Sequence, residues 1–329
     1  MSRPRHHLTR RLLTATTAAG LILLSGCGIE ERIVHLQPAP TEAAEVGAPL
    51  RIEAAEQIAA RVLGEVAAAS STEEVQAAAT GPAVRVIGAR GISSGSTTAA
   101  VTVQPTPTIL AVSAGGDWPR AILAATLDET TQVQSLHILV STAASERFKL
   151  YATAPLLGGT AIPALGDFSD GAAFAVATTE EKIAASDLFT DYGSAITFPK
   201  PAKVDTVAIE DAYATSLNRN AKIQADALGD LGKVAQTHAL VADSVASFAT
   251  ADGGFVALGQ MVRTDKVALS DKAKELKIQD GTLQRLSGKK VVTKEFTADS
   301  LENLILVAPK GSPAHIVGAE EITLRAEGT

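Results

Sequence analysis

Ile58, Val62 and Val66 recur every fourth residue with alanines between them, which predicts a helix over residues 51–69. Ser71 and Glu74 then have the spacing of a capping box, so a second, shorter helix is expected to open there. Gly81-Pro82 ends that helix or restarts another, and residues 91–98, rich in Gly, Ser and Thr, read as a loop. From there the pattern changes to short apolar runs. Residues 99–103, 108–113, 121–127, 136–142 and 147–154 read as strands. In the last of these Phe148, Leu150 and Ala152 alternate with Arg147, Lys149 and Tyr151, as in a half-exposed strand. Residues 156–171 are a Gly- and Pro-rich loop.

The second half repeats this order. Thr178 and Glu181 are spaced as another capping box, predicting a helix to about Phe189. A longer helix is expected over residues 207–228, with a stripe of Ile209, Tyr213, Leu217, Asn220, Ile223 and Ala227. Strands follow at 234–242, and the pair 247–251 and 255–262 flanks Asp252-Gly253-Gly254, a hairpin signal. Residues 291–296, 301–307 and 315–324 close the chain as strands. Helices first and strands afterwards, in each half, indicate an α+β class with helices on one face of an antiparallel sheet. The nearest fold analogy is the cystatin-like, nuclear-transport-factor-2-like arrangement. The expected domains are residues 51–171 and 172–329.

The N-terminus has a different pattern. Arg3, Arg5, Arg10 and Arg11 precede the uncharged, mostly apolar run 12–24. As a helix that run spans about 20 Å, short of the roughly 30 Å of a hydrocarbon core. It therefore reads as an export signal. Leu24-Ser25-Gly26-Cys27 resembles the lipobox of bacterial lipoproteins, whose cysteine takes a diacylglyceryl group and becomes the new N-terminus. Residues 1–26 are then a signal peptide, with Leu24, Ser25 and Gly26 read by the signal peptidase and Cys27 as the lipid acceptor. Two acyl chains give a stable membrane anchor. Thr9-Arg10-Arg11-Leu12-Leu13 leaves both the general secretory and the twin-arginine route open. Residues 27–50, with Pro38, Pro40 and Pro49, read as a tether.

Composition sharpens this picture. The 329 residues suit two domains rather than one, and Cys27 is the only cysteine, so a disulfide framework or multi-cysteine zinc site is excluded. The formal charge of −7 becomes −11 once residues 1–26 are removed. That balance excludes the basic footprint of a nucleic-acid binder, and an anionic leaflet would repel the chain, so the lipid must hold it.

The search for chemistry finds little. His35, His137, His238 and His315 are scattered and lack metal-binding spacing; His137 and His238 read as structural strand residues. Gly91-Ile92-Ser93-Ser94-Gly95 has the letters of a nucleophile elbow but lacks the helix that should follow. Gly232-Lys233 lacks the rest of a phosphate loop. Asp167-Phe168-Ser169-Asp170-Gly171 lacks the twelfth-position Glu of a calcium loop and reads as a turn. Paired carboxylates such as Glu73-Glu74, Glu180-Glu181 and Glu320-Glu321 are adjacent and so do not face one another. Lys272 to Lys277 and Lys289-Lys290 read as solvated faces. Trp118, the only tryptophan, with Arg120 either plugs a core at a strand start or lines a pocket or interface; Tyr213 is a core residue or a third member of such a site. No catalytic residue, metal or cofactor is expected.

Cys27, Thr80-Gly81-Pro82-Ala83, Asp117-Trp118-Pro119-Arg120, Thr250-Ala251-Asp252-Gly253-Gly254 and Leu306-Val307-Ala308-Pro309, in that order, resemble a family of actinobacterial lipoproteins whose shared domain has no assigned function. The strand after Trp118-Pro119 departs from it in lacking aromatics. The resemblance implies location and layout and supplies no mechanism. The expected function is therefore a membrane-anchored lipoprotein that binds or scaffolds an envelope protein without catalysis. A small-ligand carrier and an enzyme of unrecognised class are the alternatives.

Overall fold

The computed structural model describes residues 47–95 and 106–329. The signal, the lipobox with Cys27, nearly all of the tether, His35 and the strand expected at 99–103 lie outside the described residues.

α1 (Ile52–Ala68) forms where expected and turns Ala55, Ala59, Val62, Leu63 and Val66 inward. α2 (Thr72–Ala78) starts at Ser71, whose hydroxyl accepts from Glu74 N at 3.2 Å, while the Glu74 carboxylate accepts from Ser70 N at 2.6 Å. The chain then restarts: Gly81 takes φ 52°, and Pro82 opens α3 (Pro82–Ser94). Proline suits this first position because its missing N–H would have no partner there. Residues 91–94, expected to open a loop, are instead helical, and 96–98 lie outside the described residues. Gly91 is buried in the last turn of α3, and Arg285 donates to the carbonyls of Ile92 and Ser93 at 2.9 and 2.5 Å. Those bonds satisfy helix-end acceptors that Gly and Ser would otherwise leave open to water.

β1 (Thr108–Val112), β2 (Arg120–Leu127), β3 (Gln134–Ser141) and β4 (Lys149–Pro155) form one antiparallel sheet in that order. β4 is covered on both faces rather than half exposed: Leu150 packs under α1, and Tyr151 and Ala152 pack against the second sheet. Only its polar leading end, with exposed Arg147, reaches solvent.

β5 (Phe174–Val176) leads to α4 (Ala184–Ala195) and α5 (Ala212–Leu228). Thr178 caps a turn, accepting from Glu181 N at 2.9 Å, and α4 opens only at Ala184, where Ser186 Oγ accepts from Ile183 N. α5 also starts later than expected, at the Asp211 cap, and buries Ala214, Leu217 and Ala221. Ile223, placed on the expected stripe, is 59% exposed. Small residues let α5 lie close to the sheet, so the buried face is rotated toward the alanines.

β6 (Gly232–Leu240), β7 (Ala246–Ala249), β8 (Phe255–Leu269), β11 (Glu295–Ala308) and β12 (His315–Gly328) join β5 in a six-stranded antiparallel sheet. The order is β12-β11-β8-β7-β5, with β6 pairing the far half of β8. The expected hairpin at Asp252 is present, with Gly253 at φ 81° and Ala249 opposite Phe255. β9 (Leu276–Lys277) and β10 (Val291–Val292) form a small ladder around α6 (Gly281–Ser287), a helix the sequence reading did not anticipate. The strands expected at 291–296 and 301–307 are β10 and one continuous 14-residue β11.

The two sheets pack face to face. Leu123, Ile138 and Ala152 meet Phe248, Leu258 and Ile305 in one core. α1 and α2 cover the outer face of the four-stranded sheet, and α4 and α5 cover that of the six-stranded sheet. α3 fills the rest of the inner face, where Val86 and Ala89 meet Leu301 and Ile322. The α+β class holds; the first half runs from helices to an antiparallel sheet, whereas the second opens on β5 before α4 and carries α6 among its strands. The expected division after residue 171 does not coincide with a break in packing, because Glu45–Thr329 form one unit with a shared core.

Candidate functional site

Four neighbouring strands place charged and ionisable groups on the outer face of the six-stranded sheet. Glu302 on β11 lies directly opposite Glu321 on β12, and Arg263 on β8 lies opposite His238 on β6. Like charges opposite one another repel unless a cation lies between them. Arg263 is that cation. It grips Glu321 through both terminal nitrogens at 2.5 and 2.6 Å, donates Nε to Asp265 at 2.8 Å, and holds Nη1 3.9 Å from Glu302. Gln236 Nε2 donates to the other Asp265 oxygen at 2.7 Å.

Glu302 is sealed in the interior. Tyr213 Oη donates to one carboxylate oxygen at 2.7 Å, and His238 Nδ1 to the other at 2.8 Å. The side chains of His238 and Glu302 are both 0% exposed. Close behind, Tyr192 donates to Asp211, whose carboxylate also accepts from Ala214 N at the start of α5. The local environment sets the protonation of these groups. Burial and the Glu302 charge push the Tyr213 hydroxyl far up, so it stays a donor. Burial raises the Asp265 carboxyl, and the Arg263 charge counters part of that. Burial opposes the Arg263 charge, but Glu321, Asp265 and Glu302 together hold it more firmly protonated than a free guanidinium.

A cleft of about 360 Å³ opens onto this network between α6 and the sheet. Arg263, Asp265 and Glu321 line it together with an apolar wall of Val267, Leu283, Phe296 and Ala298, and with the hydroxyls of Thr282, Ser300 and Thr323. Glu302, Tyr213 and His238 lie behind Arg263 and do not line the cleft.

Of the expected site residues, Trp118 and Arg120 are brought together, and Tyr213 is not. Trp118 and Arg120 stand at the β1–β2 turn, Trp118 37% exposed with the guanidinium 4.7 Å from its ring centre. Trp118 therefore does not plug the core: its strand-start position leaves the ring at the surface under Arg120. Tyr213 lies on α5 instead, where it serves the buried network. His137 is structural, with Thr126 Oγ1 and Thr153 Oγ1 at 2.7 and 2.9 Å from its two ring nitrogens. Gly91 to Ser94 are helical, which removes the strand a nucleophile elbow needs. Asp167 closes a turn by accepting from Ser169 N and Oγ. Among the described residues, no group of three or more His, Cys, Asp or Glu is placed to hold a metal, and no helix is long and apolar enough to cross a membrane.

Arg263, Asp265 and Glu302 were missed by sequence reasoning because their meeting depends on strand register. The available signal was the pair of charges at Arg263 and Asp265, alternate positions in the middle of a strand flanked by apolar residues, and Glu302 inside Leu301-Glu302-Asn303-Leu304. Comparison with known protein families, with curated proteins and with solved structures gives no match.

Proposed function

We propose that this chain is a lipid-anchored protein of the cell envelope that binds a small polar ligand without transforming it. Cys27 carries the lipid, and the cleft under α6 is the binding site. The resemblance to actinobacterial lipoproteins supports the same location. One observation carries the binding reading. The His238–Glu302–Tyr213 relay is sealed behind Arg263, while the carboxylates that reach the cleft, Asp265 and Glu321, are tied to Arg263 and stand beside hydroxyls and an apolar wall. Binding sites have that mixed lining, whereas acid–base chemistry needs its titrating group within reach of the substrate.

Two measurements test this. Cells fed a clickable fatty acid should label the wild-type protein, and Cys27→Ala should lose both the label and the membrane fraction. Equal fractionation and no label on either would overturn the anchor. Native mass spectrometry of the detergent-extracted lipoprotein should show a bound small molecule that Glu321→Gln releases; bare wild-type protein counts against the binding role.

A further inference from the structure

We propose that the cleft under α6 selects organic cations, receiving an ammonium or guanidinium group between Asp265 and Glu321 and packing its apolar body against Phe296 and Leu283. This rests on the cleft being a binding site, and adds the class of ligand.

The argument is one of donors and acceptors. Among the described residues Arg263 is the only cationic side chain lining the cleft, and three of its five N–H groups are spent: Nε on Asp265, and one each from Nη1 and Nη2 on Glu321. It has no fork left to grip an incoming carboxylate or phosphate. The carboxylates, by contrast, are in surplus. Asp265, Glu321 and, behind them, Glu302 share the one guanidinium, and Asp280 adds a fourth negative charge from the α6 side. Each carboxylate has about four lone-pair positions, and the protein fills only some of those on Asp265 and Glu321.

A separate observation points the same way. Gln236, 4% exposed, donates Nε2 to Asp265 while its Oε1 has no protein partner. Gln236 stands opposite Asp265 across β6 and β8 and does not itself line the cleft, and a buried acceptor left open beside Asp265 marks a shortage of donors there. Burial leaves the Asp265 carboxyl raised despite the adjacent arginine, and the Glu321 charge adds to the rise, so a second cation placed beside the two would favour the ionised form. A cation supplies the missing positive charge and donors for the open lone pairs of Asp265 and Glu321; an anion would meet repulsion from Asp265, Glu321 and Asp280 and find hydroxyls but no open arginine fork. The apolar wall then favours a cation carried on a small hydrocarbon or aromatic body.

Benzylamine, benzyl alcohol and benzoate share one body and differ only in the group that would meet Asp265 and Glu321. Calorimetric titration of the detergent-solubilised lipoprotein should give benzylamine the highest affinity, about tenfold above the alcohol, with benzoate weakest. Glu321→Gln and Asp265→Asn should each remove most of that preference, and Glu73→Gln, on exposed α2, should leave it intact. Circular dichroism identifies any variant that fails to fold, and either cleft variant alone suffices. If the three compounds bind alike, or benzoate binds best, with binding lost in Leu283→Ala, the cleft is a site but the cation assignment falls. If benzylamine binding survives both cleft variants, it reflects adventitious attraction to an acidic surface and the proposal falls. If none of the three binds, the cleft reading falls with it.

Discussion

On β11, Asn303 belongs to the inner face and Glu302, one residue earlier, to the outer face, and the two are satisfied in different ways. Asn303 Nδ2 donates to the Thr153 carbonyl of the facing sheet. Its neighbour Gln260 donates to the Pro82 carbonyl at 2.9 Å and accepts from Arg85 Nε at 2.8 Å. These amides recognise backbone positions on other layers, so they fix how the two sheets and α3 dock. Glu302 instead answers to side chains: Tyr213, His238 and Arg263. An amide that finds a carbonyl is satisfied locally, whereas a buried charge needs several partners, and here that chain of partners ends at a cleft open to water. The inner polar groups specify packing; the outer ones join the interior to a surface site.

The largest test of that contrast removes one group from each face. Glu302→Ala leaves Arg263, His238 and Tyr213 without their shared acceptor and should lower stability by about 3–5 kcal/mol. Asn303→Ala loses neutral hydrogen bonds and should lower it by about 1–3 kcal/mol. Urea denaturation of both measures the difference, and equal losses would break the comparison. Replacing the sealed set together, Glu302→Met, His238→Leu and Tyr213→Phe, should recover most of the loss, because a packed apolar set needs no compensation and Arg263 keeps Asp265 and Glu321.

The outer face is also the one its helices approach most closely. A Cβ on Gly259 would lie 2.6 Å from the Phe189 ring, buried under α4. Gly259→Ala should therefore destabilise by about 1–3 kcal/mol through overpacking. Gly64, on the solvent side of α1, has nothing within 4 Å of such a Cβ. Gly64→Ala should stabilise by about 0.5–1 kcal/mol. Thermal melts of the pair give opposite signs, and a stabilising Gly259→Ala would mean that α4 can withdraw.

His137 is a buried polar group of a third kind, neutral between two threonines. Burial, with a smaller contribution from the Arg90 charge, lowers its pKa from 6.5 to about 4. The unfolded chain therefore takes up a proton between pH 6.5 and 4 that the folded chain does not. Stability from this group is full above pH 6.5 and is lost as the pH falls toward 4, by about 2 kcal/mol at pH 5. His137→Gln should shrink the difference in urea midpoint between pH 7 and pH 5. An unchanged difference would assign the acid sensitivity to the carboxylates.

What was legible in the sequence follows from locality. α1, the Ser71 cap and the Asp252 hairpin are written in residues within a few positions of one another. α5 was placed on its larger apolar residues, and the structure seats it on Ala214 and Ala221 instead. β11 looked interrupted between 296 and 301, where Asp299 and Ser300 break the apolar run, yet both are buried. The same polar interruption hid the strand and marked the site. The cleft itself depends on the register of β8, β11 and β12 and on where α6 lands, and no local pattern encodes either.

The smallest expected effect completes the series of arginines. Arg263 is buried in a network, Arg85 bonds Gln260 between the layers, and Arg120 rests on Trp118 at the surface. An exposed cation–π pair contributes about 0.5–1 kcal/mol. Arg120→Ala should therefore lower stability by less than about 1 kcal/mol, and Trp118→Ala by little more. A tryptophan plugged into a core would instead lose about 3–5 kcal/mol on truncation to alanine. Urea denaturation of Trp118→Ala separates the two cases. A loss near the larger figure would place the ring in the core after all, and would remove Arg120 from the surface end of the comparison.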